Sequence, residues 1–148
     1  MDQDRFRQTY REMNERACLF EKSILSGRCS CSQSSRFCIA EREGVHCVSD
    51  QAQDQCGDLL ELLKHHARFA LKLNDASTVL SHAKALRLQI GGLNGLFVAT
   101  THTSEPPAVI SDIHGLIGQA IEVFDTLDRL PYSEIIQQVA AYKGRRER

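Results

Sequence analysis

The chain has 148 residues, of which 42% are hydrophobic and 25% are charged, and this is the size and composition of one globular domain. Its formal net charge of -1 argues against a nucleic-acid partner, and we expect the basic run at residues 143–148 to be a solvated tail. The charged N-terminus lacks the apolar segment of a secretory signal, and no apolar run approaches the roughly 20 residues of a membrane-spanning helix, so a cytoplasmic protein without membrane contact is expected.

The first predicted element is a helix over residues 4–25. Its apolar residues recur at intervals of three and four from Phe6 to Phe20, and Gly27 follows as a helix-ending residue. Residues 27–50 are rich in serine and cysteine and are predicted to be irregular, with a short helix at 34–43 that ends at Gly44. We find no convincing strand alternation and no Asn-Gly or Asp-Gly hairpin turn.

Four further helices are predicted, over residues 50–73, 77–99, 109–127 and 132–142. Ser49 or Asp50 is the expected N-cap of the first of these, and Pro131 precedes the last. The sequence therefore predicts an all-α fold, a four- or five-helix bundle with an irregular cysteine-rich N-terminal segment. We expect one domain, 1–148, in which a metal-binding segment at about 18–56 packs on a bundle at about 50–143.

Glycines distinguish the predicted helix 77–99 from the others. Gly91, Gly92 and Gly95 weaken its C-terminal half by roughly 1 kcal/mol each relative to alanine. Small residues allow another helix to approach closely, either within the fold or from a second copy in a homo-oligomer.

All six cysteines lie between Cys18 and Cys56, with the spacing C-x10-C-x-C-x6-C-x8-C-x8-C. Such clustering indicates either an inorganic centre or a set of disulfides. The expected cytoplasmic location disfavours disulfides, because the reducing systems of that compartment keep thiols reduced. The segment is therefore predicted to bind metal.

The cysteine spacing favours an iron–sulfur cluster over zinc. Structural zinc sites commonly use a C-x2-C knuckle, which this chain lacks, whereas a cluster accepts thiolates from more widely spaced positions. A [4Fe–4S] cluster is the expected cofactor, with zinc as the alternative. The predicted ligands are the most compact set in the sequence: Cys29, Cys31, Cys38 and Cys47.

Three residues are alternates to that set. Cys56 is expected in the first turns of a helix, where the dipole favours a thiolate, and Cys18 is expected late in the first helix. His46 is the best candidate ligand that is not a cysteine, because it directly precedes Cys47. Arg28, Arg36 and Arg42 lie between the cysteines and are expected to offset the negative charge of a cluster.

These features predict a small cytoplasmic iron–sulfur protein that acts in electron transfer, redox sensing or metalloenzyme assembly, together with a protein or redox partner. One alternative is a zinc-stabilised helical module for protein interaction. Another is a thiol-based redox protein, which requires cysteines of lowered pKa. No catalytic constellation is visible apart from the cysteines, so an enzymatic role stays open.

Overall fold

The computed structural model describes residues 3–75 and 78–143, which form six α-helices and one pair of strands. Ser77, where we expected a helix to begin, and residues 144–148 of the basic run lie outside the described residues. None of the described helices is long and apolar enough to cross a membrane. In chain order the elements are α1 (Gln3–Met13), α2 (Glu21–Leu25), β1 (Ser34–Ile39), β2 (Arg42–Cys47), α3 (Asp50–His66), α4 (His82–Thr101), α5 (Ile113–Phe124), a 3-10 turn (Leu127–Arg129) and α6 (Tyr132–Ala141).

The predicted all-α fold is wrong, because residues 34–47 form an antiparallel β-hairpin rather than a helix. The described chain is mixed, 55% helical with a two-stranded sheet. The strands pair from Ser34 opposite Cys47 to Ile39 opposite Arg42. Their two-residue turn uses Ala40 and Glu41 at φ of 51° and 68°, the positive values that Asn-Gly turns normally supply. The usual hairpin signal is therefore missing from the sequence.

The predicted N-terminal helix is broken into α1 and α2 by an extended segment. The break begins at Asn14, which is buried and whose side-chain amide donates to the Tyr10 hydroxyl and to the Val45 carbonyl, each at 3.0 Å. The backbone of Cys18 then bonds Val45, and that of Cys47 bonds Arg16. Tertiary pairing with β2 thus overrides the helical periodicity of this stretch.

The C-terminal helices form the core of the fold around α4. This helix packs against α2, α3, α5 and α6. Gly91 and Gly95 lie directly on the α6 backbone, where an added Cβ would overlap Val139 and Ile135, and Gly92 faces Leu63 of α3. All three glycines are buried by contacts within the chain, which matches the expected close approach of another helix within the fold.

Candidate metal centre

Four cysteines line a single small cavity between the hairpin, α3 and the start of α5. They are Cys18, Cys31, Cys47 and Cys56, and the cavity has a volume of about 20 Å³. Cys47 is buried, and the other three are half-buried. Because each thiol comes from a different segment of the chain, the cavity exists only in the folded protein.

Cys18 and Cys47 are placed by backbone pairing between β2 and the segment that precedes α2. The Cys18 N–H donates to the Val45 carbonyl at 2.9 Å, and the Cys47 N–H donates to the Arg16 carbonyl at 2.8 Å. The segment thus runs alongside β2 as a third extended chain. This pairing joins two cysteines that are 29 positions apart in the sequence.

Cys31 is positioned by the segment that leads into α5. The Ser30 N–H donates to the Ile110 carbonyl at 2.9 Å, and the Ile113 N–H donates back to the Ser30 carbonyl at 2.9 Å. The Ser32 N–H donates to the carboxylate of Asp112, the N-cap residue of α5, at 2.9 Å. These bonds hold Cys31 beside the positive N-terminal end of a twelve-residue helix.

Cys56 lies in the second turn of α3, in keeping with the expected helix. The Ser49 side chain caps this helix and accepts the Ala52 N–H at 3.1 Å, as predicted for one of the two candidate caps. The Gln53 side chain donates to the Ala17 carbonyl at 2.8 Å. The bond from Gln53 ties α3 to the segment that carries Cys18, and so keeps the Cys18 and Cys56 thiols at one cavity.

Burial determines the electrostatics of these thiols. Together with a smaller contribution from the charges of neighbouring cysteines, burial raises the pKa of Cys18 to about 11 and that of Cys56 to about 12. Burial also raises the pKa of Cys31, although the backbone N–H groups of Gln33 and His114 partly offset this by bonding its sulfur. Cysteines of raised pKa are the opposite of what a reactive thiol pair requires.

The arginines of the cysteine-rich segment have partners elsewhere on the surface. Arg36 pairs with Glu43 across the hairpin, and Arg42 lies over the ring of Phe6. Arg28 lies over the ring of Tyr142. Within residues 3–75 and 78–143, no lysine or arginine lines the cavity. The positive groups at the cavity are therefore backbone N–H groups and the N-terminal end of α5, in place of the arginine side chains expected from the sequence.

The structure separates the other predicted site residues from the cavity. Cys29 is buried in the apolar core, where it contacts the Ser23 hydroxyl and burial raises its pKa to about 11. Cys38 is exposed on β1. His46 is next to Cys47 on a strand, so its side chain points to the opposite face, where its Nδ1 lies 3.0 Å from Asn14 Oδ1. The cavity thus contains two of the four favoured cysteines, Cys31 and Cys47, and both cysteine alternates.

One residue of the cavity wall was not singled out from the sequence. His114 is the second residue of α5 and lines the same cavity as the four thiols. Its Nδ1 is buried and has no hydrogen-bond partner among the described residues. A histidine 58 positions beyond the last cysteine carries no local sequence signal, and only the pairing of residues 28–32 with 110–113 brings it to the site.

Within the described part of the chain, no three histidine, cysteine, aspartate or glutamate side chains are grouped so that they could hold a metal ion. The four thiols therefore share a cavity without being packed as ligands of one ion. Comparison of the chain with protein-family models, curated proteins and solved structures finds no match. The functional argument accordingly comes from the geometry of this cavity.

Proposed function

We propose that the chain is a small iron–sulfur protein that holds one cluster, of the [4Fe–4S] type, through Cys18, Cys31, Cys47 and Cys56. The observation that carries this proposal is the convergence of four thiols from four separate segments on one cavity. Four cysteine thiolates are the ligand set of such clusters. A structural role for free cysteines would not require their convergence, since an isolated buried cysteine packs as a small hydrophobe.

The arrangement suits a cluster better than a single zinc ion. A cluster is larger than one ion and is held by thiolates that lie farther apart, whereas zinc requires its four ligands at about 2.0 to 2.3 Å from one point. No pair of the four thiols has the knuckle spacing of structural zinc sites, and this spacing favours the larger inorganic centre.

Burial disfavours negative charge on the cavity thiols overall, but one wall of the cavity carries groups that stabilise an anion. The N-terminal end of α5 lies at its wall, and two backbone N–H groups, from Gln33 and His114, bond the Cys31 sulfur. The buried thiols lose their protons when they bind iron, and the metal charge then replaces the absent cationic side chains.

The proposed role is electron transfer or redox sensing in the cytoplasm. Three of the four thiols are only half-buried, and Leu19, which also lines the cavity, is 38% exposed. A cluster at this site would lie close to the surface, within reach of a redox partner. Assembly of another metalloenzyme is a further role that the same centre could serve.

The test is the metal and sulfide content of the chain after anaerobic expression and purification. A brown protein with roughly four iron and four acid-labile sulfide per chain, reducible by dithionite, is expected. The Cys56→Ser variant should lose the iron and sulfide, whereas Cys38→Ser, which changes an exposed cysteine outside the cavity, should retain both. A colourless chain that contains one zinc and no sulfide would contradict the proposal.

Zinc is the second candidate because of the size of the cavity. A volume of about 20 Å³ is only modestly larger than the roughly 10 to 15 Å³ that one water molecule needs. The thiols would have to move apart to admit a cluster and closer together to bind zinc. In the zinc case the centre would stabilise the fold of the N-terminal segment, and the protein would show no reversible visible spectrum on reduction and oxidation.

A further inference from the structure

We propose that two copies of the chain associate through α3, with Phe69 and Arg68 of each copy docked in the groove beside Leu62 of the other. The dimer has two-fold symmetry, so each copy gives and receives the same contacts. The residues of this surface do not line the cysteine cavity, and the proposal is independent of the proposed function.

The first argument is the exposure of Phe69, which follows the end of α3. Its side chain is 80% exposed, although burial of a phenyl ring is strongly favourable. The Arg68 guanidinium lies over the ring, with its carbon 4.8 Å from the ring centroid, and donates to the His65 carbonyl at 2.6 Å. The ring and the cation therefore project together. Aromatic and arginine side chains are enriched in the buried centres of protein–protein interfaces.

The second argument is a groove between α3 and the 3-10 turn that matches this pair of side chains in chemistry. The groove has a volume of about 380 Å³, within the range of pockets that hold a small ligand, and Leu62 and Leu127 supply its apolar surface. Three carboxylates also line it, from Asp58, Glu61 and Asp128. None of the three forms an ion pair within residues 3–75 and 78–143. An apolar ring accompanied by a cation suits such a groove.

The third argument is the separation of charge along one face of α3. At 100° per residue, positions 58, 61, 65 and 68 lie within about 80° of one another around the helix axis. Asp58 and Glu61 come first, and the basic residues His65 and Arg68 follow, the latter held against the last turn by its bond to the His65 carbonyl. The pKa of His66 is lowered by burial and also by the positive charges of His65 and Arg68. One end of this face is thus acidic and the other is basic.

An antiparallel pairing of two α3 helices brings each acidic end opposite the basic end of the other copy. Glu61 and His65 each lie two positions from residue 63, and Asp58 and Arg68 each lie five positions from it. A two-fold axis at the level of residue 63 therefore places opposite charges together at all four positions of both copies. Phe69, next to Arg68, then lies opposite the groove of the other copy. Parallel pairing would bring like charges together, and this disfavours it.

The test is sedimentation equilibrium of the full chain from low micromolar to near-millimolar concentration. A reductant is present throughout, so that cysteines cannot cross-link two copies. We expect a monomer–dimer equilibrium without larger species, because a two-fold interface closes on itself. The dissociation constant should rise with the concentration of sodium chloride, because salt screens the ion pairs at the edge of the interface.

Charge reversal tests the pairing of the two helices. Phe69→Ala removes the aromatic anchor, and Asp58→Arg and Arg68→Asp each place like charges opposite one another, so each variant should raise the dissociation constant by about tenfold or more. The double variant Asp58→Arg/Arg68→Asp should dimerise again, and so should an equimolar mixture of the two single variants, because both restore opposite charges across the interface. Val109→Ala, which removes exposed apolar surface outside the groove, should leave the dissociation constant unchanged.

Four results would overturn the proposal. One is a wild type that stays monomeric at near-millimolar concentration, and another is a dimer that neither single charge reversal weakens. Open polymers that grow with concentration would contradict the two-fold symmetry. A monomeric wild type that binds vesicles containing phosphatidylserine, and loses this binding in Phe69→Ala, would instead assign the exposed ring to a membrane surface.

Discussion

The cysteine-bearing region, residues 16–56, and the helical region formed by α4, α5 and α6 are held together in different ways. In the helical region, apolar faces pack closely, and two glycines let α4 lie on the α6 backbone. In the cysteine-bearing region, backbone pairing and side-chain caps join short extended segments. The first region is closely packed throughout, whereas the second surrounds a cavity lined by four thiols.

The difference predicts which region the proposed cofactor would stabilise. Close packing stabilises α4 and its neighbours whether or not a metal is bound. The segments around the cavity are short, so a bound cluster would add to their stability, because a ligand that binds only the folded state stabilises it. Substitutions in the two regions should therefore separate overall stability from cofactor retention.

The largest stability change is expected at the contact between α4 and α6. In Gly95→Ala the new Cβ overlaps the Ile135 backbone, which cannot move aside as a flexible side chain would. We expect the free energy of unfolding to fall by about 2 kcal/mol, in the range of overpacked cores, despite the higher helix propensity of alanine. Urea unfolding monitored by circular dichroism measures this change in the free energy of unfolding.

Gly118→Ala in α5 is the matched control, because an added Cβ there meets no atom within 4 Å. It should raise the free energy of unfolding by roughly 0.5 to 1 kcal/mol through helix propensity alone. Equal effects of the two substitutions would show that the glycines of α4 are not required for close helix packing.

The next change concerns the buried side chain that joins α1 to the hairpin. Asn14 donates at 3.0 Å to both the Val45 carbonyl and the Tyr10 hydroxyl. Asn14→Ala should cost about 2 kcal/mol, because it leaves buried polar groups without partners. It should also weaken cluster retention, since Cys18 is paired to the same carbonyl.

The control for this substitution is Asn94→Ala in α4, where alanine has the higher helix propensity. Thermal unfolding and iron content are measured on both variants. If Asn14→Ala lost stability and kept the wild-type iron content, the link between this hydrogen bond and the metal centre would be refuted.

The smallest expected changes in the free energy of unfolding come from removing either of two similar helix caps. Ser49 accepts the Ala52 N–H at 3.1 Å at the start of α3, and Ser81 accepts the Lys84 N–H at 3.2 Å at the start of α4. Ser49→Ala and Ser81→Ala should each cost about 1 kcal/mol. Only Ser49→Ala should speed the loss of iron to a chelator, since α3 carries Cys56. Similar rates of iron loss from the two variants would contradict the assignment of the metal site to the cysteine-bearing region.

The helices were largely predictable because their stability comes from patterns visible in the chain. The apolar stripes of α3 and α5, the cap at Ser49 and the start of α6 after Pro131 follow from periodicity and local chemistry. The hairpin was not predictable from the sequence. Its turn residues, Ala40 and Glu41, adopt positive φ, although Asn and Gly are the residues that normally mark such a turn. Asn14 likewise ends α1 for a reason that lies 31 positions away, at Val45.

The spacing of the cysteines along the chain did not predict which of them line the cavity. Compact spacing favoured Cys29 and Cys38, but the chain places the first in the apolar core and the second on an exposed strand. Cys18 and Cys56 reach the cavity through long-range pairing with β2 and through the contact of Gln53 with Ala17. Clustering in the sequence thus indicated the region of the site, and tertiary structure selected its residues.

The most direct test compares the iron and sulfide contents of two double variants prepared anaerobically. Cys18→Ser/Cys56→Ser removes half of the set at the cavity, and Cys29→Ser/Cys38→Ser removes the two favoured cysteines that lie elsewhere. We predict that the first variant contains neither iron nor sulfide and that the second contains as much of both as the wild type. A cluster retained by the first variant and lost by the second would contradict the assignment.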